Sequence, residues 1–303
     1  MTGNIFAKGI AGSAQNAAFG RDREYRLLPA LSPKTIYIAG GGSGGMEYAI
    51  TAHARGHKVV IFEKSPQLGG VMAWAGNYKN LPNMEQIAYQ PDWHKLMVAK
   101  AGIEVRLNSE LTRAIIVADK PDVVVVATGA KPAMPAVAGL ENALSSGFAR
   151  SIDSALSEGL EHLADGPVVV WGAGEGVELA LDLARAGRQV RLLDPQDKFV
   201  PANYIGSRSS IVLRWSAKVN LEPEQGVALN EVEPGKVVVT HADGRHETIA
   251  CTNLIIAPGR VAYDPLSRVL DKLGIKVELI GDARAPRSYG NAIHEAAYLA
   301  RRV

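Results

Sequence analysis

A strand, a glycine-rich turn, a helix and a second strand occur twice in this chain, and this duplication constrains the fold more than any other feature. The first copy, residues 34–64, runs from KTIYIAG through GGSGGMEYAITAHARG to HKVVIFEK. The second copy, residues 167–195, runs from PVVVWGAG through EGVELALDLARAG to RQVRLLDP. Two strands joined by a crossover helix within about thirty residues form a parallel βαβ unit. The sequence therefore predicts an α/β fold built around two such units.

The first glycine loop, residues 40–45, has the spacing that a nucleotide pyrophosphate requires. Gly40 permits the tight turn, Gly42 lets the backbone approach the phosphates, and Gly45 allows close packing of helix and strand. A helix that begins near Ser43 points its free amides and its positive dipole end at the phosphates. This loop predicts a dinucleotide-binding, Rossmann-like domain.

An acidic residue at the end of the second strand strengthens this prediction. Glu63 follows Gly40 by 23 residues, and its carboxylate can accept hydrogen bonds from both hydroxyls of a ribose. A glycine-rich turn beside a surface glutamate is the alternative, and the surrounding strand and helix patterns argue against it.

The second loop departs from this spacing. After Gly172 and Gly174 the third glycine, Gly176, arrives one residue early, and Glu175 carries a negative charge toward an approaching pyrophosphate. Because loops tolerate changes in length, the unit either binds NAD(H) or is kept as a scaffold. If it binds, Asp194 favours the free 2′-hydroxyl of NAD over the 2′-phosphate of NADP.

Composition and cysteine content limit the classes of function. The 303 residues carry a net charge of +2, which gives no basic face for nucleic acid, and hydrophobic residues make up 47%. No apolar run approaches the ~20 residues needed to cross a bilayer, and no secretory signal is evident, so we expect a cytoplasmic protein without a membrane partner. Cys251 is the single cysteine, which excludes an intrachain disulfide or a four-cysteine iron–sulfur site. Any redox chemistry must then depend on a bound organic cofactor.

The order of the patterns predicts that the second domain is inserted into the first. We expect an extended N-terminal arm at 1–33, a first domain at 34–135 and 252–303, and a second domain at 136–251. The split follows because the closing strand in VELIGDARAP has no other sheet to join.

Several motifs together resemble the two-dinucleotide-binding-domain flavoproteins. They are the first loop with Glu63-Lys64, Leu68-Gly69-Gly70, Ala127-Thr128-Gly129, Ile280-Gly281-Asp282 and Ala292-Ile293. The chain is most similar to the C-terminal half of the 2,4-dienoyl-CoA reductase and trimethylamine dehydrogenase group, which joins an old-yellow-enzyme-type FMN barrel to such a module. Residues 15–49 resemble the junction in those enzymes and residues 281–303 resemble their closing segment.

The resemblance implies how a cofactor would be held. The first loop would cradle the pyrophosphate of FAD, or of ADP in its place, Asp282 would bond its ribityl or pyrophosphate part, and the helix start at Ala292-Ile293 would face the flavin. The residues expected to bind the first cofactor are Gly40, Gly42, Ser43, Gly44, Gly45, Glu63, Lys64, Gly70, Thr128, Gly129, Gly281, Asp282, Ala292 and Ile293. Those expected to bind NAD(H) are Gly172, Gly174 and Asp194.

The departures from the group matter equally. No FMN barrel is present, and Ser13 stands near the place of the last iron–sulfur cysteine. We therefore expect an oxidoreductase module that passes electrons between NAD(H) and a separate partner carrying FMN or an iron–sulfur cluster, with the arm on the partner's surface. A non-catalytic subunit that holds ADP or FAD structurally, and a self-contained flavin oxidoreductase, are the alternatives.

No side chain is assigned a catalytic role. Hydride transfer between a nicotinamide and a flavin needs orientation and exclusion of water rather than an acid–base pair. His294 lies where the flavin is expected, but a histidine at a helix start is more often bonded to the backbone or to solvent.

Overall fold

The computed structural model describes residues 13–197 and 207–303. Their strands alternate with helices, as the duplication predicts. The strands of this described part are β1 Thr35–Ala39, β2 Lys58–Phe62, β3 Glu104–Arg106, β4 Val123–Val126, β5 Ala130–Pro132, β6 Ala149–Ser151, β7 Val168–Trp171, β8 Val190–Asp194, β9 Glu224–Gln225, β10 Ala228–Glu233, β11 Lys236–Thr240, β12 His246–Ala250, β13 Asn253–Ile256, β14 Arg260–Ala262 and β15 Lys276–Leu279.

The helices of the same residues are mostly short. They are α1 Ser43–Ala54, α2 Tyr89–Lys100, α3 Arg113–Asp119, α4 Leu140–Ser146, α5 Ile152–Glu158, α6 Ala173–Arg185, α7 Ser207–Lys218, α8 Ser267–Leu270 and α9 Tyr289–Ala300. Single 3₁₀ turns occupy Gly70–Ala73, Met84–Ala88, Leu160–His162, Asp271–Leu273 and Gly281–Ala283. No helix among the described residues is both long and apolar enough to span a bilayer.

The chain divides into two compact units, and the second lies within the sequence of the first. Unit 1 comprises the described residues up to 73, 86–131 and 261–303, and unit 2 comprises 74–85 and 132–260. The short strands β5 and β14, which pair with each other, carry the chain from one unit to the other and back. The predicted α/β class with one Rossmann-like domain inserted into another is confirmed.

Unit 1 is built on a parallel five-stranded sheet in the order β15-β4-β1-β2-β3. Strand β4 is four consecutive valines, and all four side chains are buried, as expected for a central strand covered on both faces. Tyr48 on α1 is fully buried and donates a 2.8 Å hydrogen bond to Glu278 on β15. The predicted closing strand therefore completes this sheet.

The described part of the N-terminal arm is folded against unit 1 rather than extended. Ala17 and Tyr25 are buried against Ala297 of α9, and the guanidinium of Arg301 lies over the Tyr25 ring, 4.8 Å from its centroid. Polar side chains such as Ser13 cap successive turns in this segment, which shortens it. Residues 1–12 of the predicted arm lie outside the described residues.

Unit 2 contains a parallel sheet in the order β6-β13-β7-β8-β9 and an antiparallel sheet β10-β11-β12. A hairpin turn at 241–244 joins β11 to β12, and the amide of His241 donates to the carbonyl of Arg245 over 2.9 Å. Cys251 is buried in the apolar core of this unit, and burial raises the pKa of its thiol to about 11.

The observed domain boundaries differ from the predicted ones by four residues at 132–135 and by longer segments at two other places. Residues 252–260 were predicted in the first domain, but β13 pairs with β6 and β7 in unit 2. Residues 74–85 also belong to unit 2, because buried Asp182 of α6 accepts hydrogen bonds from the amides of Asn80 (2.7 Å) and Leu81 (3.2 Å). Both of the longer differences arise from pairings between residues far apart in the sequence.

A charge cluster joins the two sheets of unit 2. Arg191 on β8 donates to Glu224 over 2.8 Å and to Glu247 over 2.7 Å, and His241 Nε2 lies 2.7 Å from Glu247 Oε2. The Arg191 guanidinium, followed by His241, lowers the pKa of Glu247 to about 2. The ionised carboxylate therefore stabilises the folded state.

We expect unit 2 to lose stability in acid through Glu247. The folded-state pKa lies below the ordinary value of 4.5, so the contribution is complete above pH 4.5 and is lost as the pH falls toward 2. At pH 7, Glu247→Gln should lower the free energy of unfolding by ~2 kcal/mol after allowance for partial exposure, and the difference should vanish near pH 2. Thermal unfolding of both proteins between pH 2 and 7 measures this. Glu233→Gln is the control, since that carboxylate belongs to an exposed pair with Lys236; an equal loss there would contradict the assignment.

Candidate functional site

The first glycine loop in unit 1 adopts the tight turn that its sequence predicts. Gly40 has φ +110°, and a Cβ added there would lie 2.4 Å from the carbonyl oxygen of Ala127. A Cβ on Gly45 would lie 2.1 Å from the carbonyl oxygen of Gly40. Only glycine fits at these two positions, and α1 begins at Ser43 as predicted.

The outer side of this loop is open. Gly42 caps α1 with extended backbone, and a Cβ added there would meet nothing closer than Gly70 Cα at 4.0 Å. The first turn of α1 contains no acidic residue. The Ser43 hydroxyl is buried near the Tyr289 hydroxyl, and neither of the two oxygens is in a hydrogen bond of good geometry among the described residues. The N-terminus of α1 is accessible, and the Ser43 hydroxyl beside it can still form a hydrogen bond. Both features are suited to binding an anionic pyrophosphate.

Glu63 lies beside the first loop and stabilises it through hydrogen bonds. Its carboxylate is buried and accepts hydrogen bonds from the amide of Gly41 (2.7 Å, to Oε2) and from the amide of Ser65 (2.8 Å, to Oε1). Because each carboxylate oxygen has two lone pairs, both can still accept a ribose hydroxyl. The Gly41 amide was not singled out from the sequence.

Lys64, Thr128 and Gly129 lie around one aromatic residue, Tyr263. The amide of Tyr263 donates to the carbonyl of Gly129 over 3.0 Å, and the Thr128 hydroxyl donates to the carbonyl of Tyr263. The ammonium groups of Lys64 and Lys131 lie 5.8 and 3.6 Å from the centroid of the ring. Sequence reasoning missed Tyr263, because no motif marks the residue that a turn brings back to Gly129.

Gly281, Asp282 and Ala292 lie near the start of α9, but in a different arrangement from the prediction. The α9 helix begins at Tyr289, three residues before Ala292, because Ser288 and Asn291 form a capping box. The helix-start amides therefore do not belong to Ala292-Ile293, and Ile293 is fully buried in the interior.

Ala292 instead lets two glycines approach α9. A Cβ added to Gly44 would lie 3.5 Å from the Ala292 methyl group, and one added to Gly281 would lie 3.1 Å from it. The Gly281 amide donates to Glu295 over 2.9 Å, and Asp282 accepts from the amide of Arg287 over 3.0 Å. These contacts hold the Gly-Asp turn beside the first loop.

His294 has a structural partner. Its Nε2 lies 2.7 Å from the carbonyl oxygen of Ser13, so the ring joins α9 to the arm. The interpretation as a backbone-bonded histidine is confirmed.

The second glycine loop repeats several contacts of the first within unit 2. A Cβ on Gly172, where φ is +107°, would lie 2.2 Å from the carbonyl oxygen of Ala257, as Gly40 faces Ala127. Gly176 packs tightly on Val170, and α6 begins at Ala173, directly after Gly172. The missing residue thus comes from the loop before the helix. A Cβ on Gly174 would meet nothing within 4 Å, so the approach to the helix start is open.

Asp194 occupies the place that Glu63 has in unit 1. It is buried, it accepts a hydrogen bond from the amide of Gln196 over 3.1 Å, and burial raises its pKa. Arg191 on the same strand pairs with Glu224 and Glu247. Its charge is therefore committed to those two carboxylates.

These two loops define a class of protein with two dinucleotide-binding units. Comparison with protein families identifies the family. Residues 75–281 match the pyridine nucleotide-disulphide oxidoreductase family and residues 38–97 match an NAD(P)-binding Rossmann-like domain. The chain belongs to the pyridine nucleotide-disulphide oxidoreductase family.

Similar proteins agree with this membership. The chain is 30% identical over 271 residues to an NADH oxidase from Thermoanaerobacter brockii, covering 88% of this chain and 41% of that protein. A 2-naphthoyl-CoA reductase structure matches with a TM-score of 0.84 and 29% identity, covering 96% of this chain and 43% of the other. Thioredoxin reductase from T. acidophilum, at 16% identity and a TM-score of 0.65, shares the fold over 88% of this chain and 96% of its own.

The comparisons also bear on the cofactors. The predicted resemblance to the dienoyl-CoA reductase group is confirmed, and the family matches indicate binding units for FAD and NAD(P)H. It spans less than half the length of the curated relatives that it matches, 41% of one and 46% of another.

Proposed function

We propose that this protein is an FAD-dependent NAD(H) oxidoreductase module that passes electrons between a nicotinamide cofactor and a separate protein partner. The partner carries FMN, an iron–sulfur cluster or both, and is of the old-yellow-enzyme or amine dehydrogenase type. The observation that carries the proposal is the pair of glycine loops, each packed against the end of a neighbouring strand and each followed by a buried carboxylate.

FAD belongs to unit 1 in this proposal. The amides at the start of α1 and the Ser43 hydroxyl hold the pyrophosphate, and Glu63 holds the adenosine ribose. Lys64, Thr128, Gly129 and Gly70 shape the walls, and Gly281-Asp282 lies beside the loop through the contact with Ala292. When bound, the cofactors supply hydride transfer between nicotinamide and flavin. The chain's own residues bind, orient and exclude water, so no acid or base is required.

NAD(H) belongs to unit 2. The open approach at Gly174 admits the phosphates, and Asp194 accepts hydrogen bonds from the ribose that follows. A buried carboxylate at this position repels a 2′-phosphate, which favours NADH over NADPH. Because Arg191 is engaged by two glutamates, it does not offset that repulsion.

A partner surface is supported by the arm. Ala17 and Tyr25 of the arm pack on Ala297 of α9, whereas Phe19, Leu27, Leu28 and Leu31 are exposed, the last of them completely. Large apolar side chains grouped in one exposed segment are typical of a protein interface. The similarity to 2-naphthoyl-CoA reductase, a chain more than twice as long, supports a further domain or subunit as electron acceptor.

The visible absorption spectrum of the purified protein tests the redox part of the proposal. We expect a flavin spectrum that NADH bleaches anaerobically, and NADPH to act much more slowly. Serine at positions 19, 27, 28 and 31 should leave this bleaching unchanged and reduce the native mass of the complex in cell extract. A coloured protein that NADH does not bleach would contradict the redox proposal, and an unchanged native mass would contradict the partner surface.

The alternative is a non-catalytic subunit that binds ADP or FAD as structural support in a larger oxidoreductase or demethylase complex. The shortened second loop, with Glu175 in the first turn of α6, favours it. A colourless protein that releases ADP on denaturation would support this alternative and exclude hydride transfer within the chain.

A further inference from the structure

Arg260 lies between the first turns of two helices of unit 2. It follows the turn after β13, and its Nε donates to Glu175 in the first turn of α6 over 2.8 Å. Its Nη1 and Nη2 donate to the two carboxylate oxygens of Asp153 in the first turn of α5, the former over 3.0 Å. All three side chains are largely withdrawn from solvent. The guanidinium is therefore fixed by a bidentate pair of hydrogen bonds to Asp153 and by one hydrogen bond to Glu175.

This cluster occupies the place in unit 2 where a ligand is expected. Strands β7 and β13 are parallel neighbours in the middle of the sheet β6-β13-β7-β8-β9. In open parallel sheets, ligands bind beyond the carboxyl ends of the strands. Arg260 follows the end of β13, and Glu175 follows the end of β7.

The shortened loop places the negative charge of Glu175 where it disfavours binding of a phosphate. Because α6 starts directly after Gly172, Glu175 is the third residue of the helix, where its carboxylate competes with an incoming phosphate for the helix dipole. Its bond to Arg260 draws this carboxylate toward α5 and offsets its charge. The α6 amides then face the open space in front of Gly174.

We propose that Arg260 is a positioning residue of the second dinucleotide site, which holds Glu175 aside and neutralises it so that the shortened loop accepts the pyrophosphate of NAD(H). The donors of Arg260 are committed to carboxylates, so it acts through Glu175 and does not bind the phosphates itself. The inference rests on the proposed binding of NAD(H) to unit 2.

A double-mutant cycle tests this role, with binding of NAD⁺ to the FAD-loaded full chain measured by calorimetry. Arg260→Gln should weaken NAD⁺ binding about tenfold or more, and Arg260→Gln with Glu175→Gln should restore the affinity to within about threefold of the unaltered protein. Glu175→Gln alone should bind as well as the unaltered protein or better. The penalty in Arg260→Gln should shrink as salt rises, because it arises from repulsion between charges.

The controls separate this role from a general structural one. Arg260→Lys keeps the charge without the bidentate pair of hydrogen bonds, so it should give a smaller loss that Glu175→Gln also repairs, even if Arg260→Gln folds poorly. Arg150→Gln removes another paired arginine of unit 2, whose partner Glu158 is the last residue of α5, and should leave NAD⁺ affinity unchanged. Flavin content should stay constant in every variant.

Failure of Glu175→Gln to rescue binding, or a loss that salt does not reduce, would overturn the inference while leaving the function intact. If the unaltered FAD-loaded chain does not bind NAD⁺ at all, the proposed function itself is wrong and this role falls with it.

Discussion

Alanine at position 42 should strongly weaken FAD binding and leave the apoprotein folded. The backbone of Gly42 has φ −71° and ψ 179°, which alanine adopts without strain, and a Cβ there would be no closer than 4.0 Å to any neighbour. The new methyl group would instead occupy the open side of the first loop, where the pyrophosphate must approach the backbone. We expect FAD affinity to fall about 100-fold or more, which is close to 3 kcal/mol. Flavin content after gel filtration and the melting temperature of the apoprotein measure the two effects.

Alanine at position 45 is the matched control, because it introduces a methyl group that clashes with the backbone of the same loop. Its Cβ would meet the carbonyl oxygen of Gly40 at 2.1 Å, so this variant should lose both FAD and thermal stability. FAD binding by Gly42→Ala with normal affinity would show that the phosphates do not approach the loop from this side.

The parts of the fold that could be predicted are those determined by short stretches of sequence. The turns at Gly40 and Gly172 have positive φ, which is a local reason for glycine, and the valine run of β4 identifies a buried strand by itself. The parallel sheets and the insertion follow from these patterns, because each βαβ unit fixes the direction of its own strands.

The parts that could not be predicted depend on contacts between distant residues. Asn80 is separated from Asp182 by 102 positions, so nothing local places residues 74–85 in unit 2. The start of α9 was predicted too late because the capping pair, Ser288 and Asn291, lies outside the apolar repeat of the helix.

The duplication in the sequence could have been used to predict that Arg260 lies near the second glycine loop. Residues 127–130 and 257–260 follow corresponding strands, and each turn faces the first glycine of its loop. Aligning the two turns places Arg260 beside the second loop. Its partner Asp153 is 107 positions away, and only the folded structure brings the two together.

Glutamine at position 63 should weaken FAD binding about as much as alanine at position 42, because it disrupts two buried hydrogen bonds. Both carboxylate oxygens of Glu63 accept backbone amides, from Gly41 over 2.7 Å and from Ser65 over 2.8 Å. Glutamine has one acceptor and one donor, so its NH₂ group must face one of these amides and leave a buried donor unpaired. We expect a loss of ~1–3 kcal/mol in apoprotein stability and a fall of about 100-fold in FAD affinity.

Asparagine at position 194 makes the same chemical change in the other unit and separates the two sites. Buried Asp194 accepts from the amide of Gln196, as Glu63 accepts from Ser65. Because the two carboxylates serve different loops, Asp194→Asn should weaken NAD⁺ binding and retain FAD, whereas Glu63→Gln should lose FAD. Flavin content and NAD⁺ calorimetry on both variants measure this. Loss of FAD from Asp194→Asn would mean that the second carboxylate supports the first site, and the assignment of one nucleotide to each unit would be wrong.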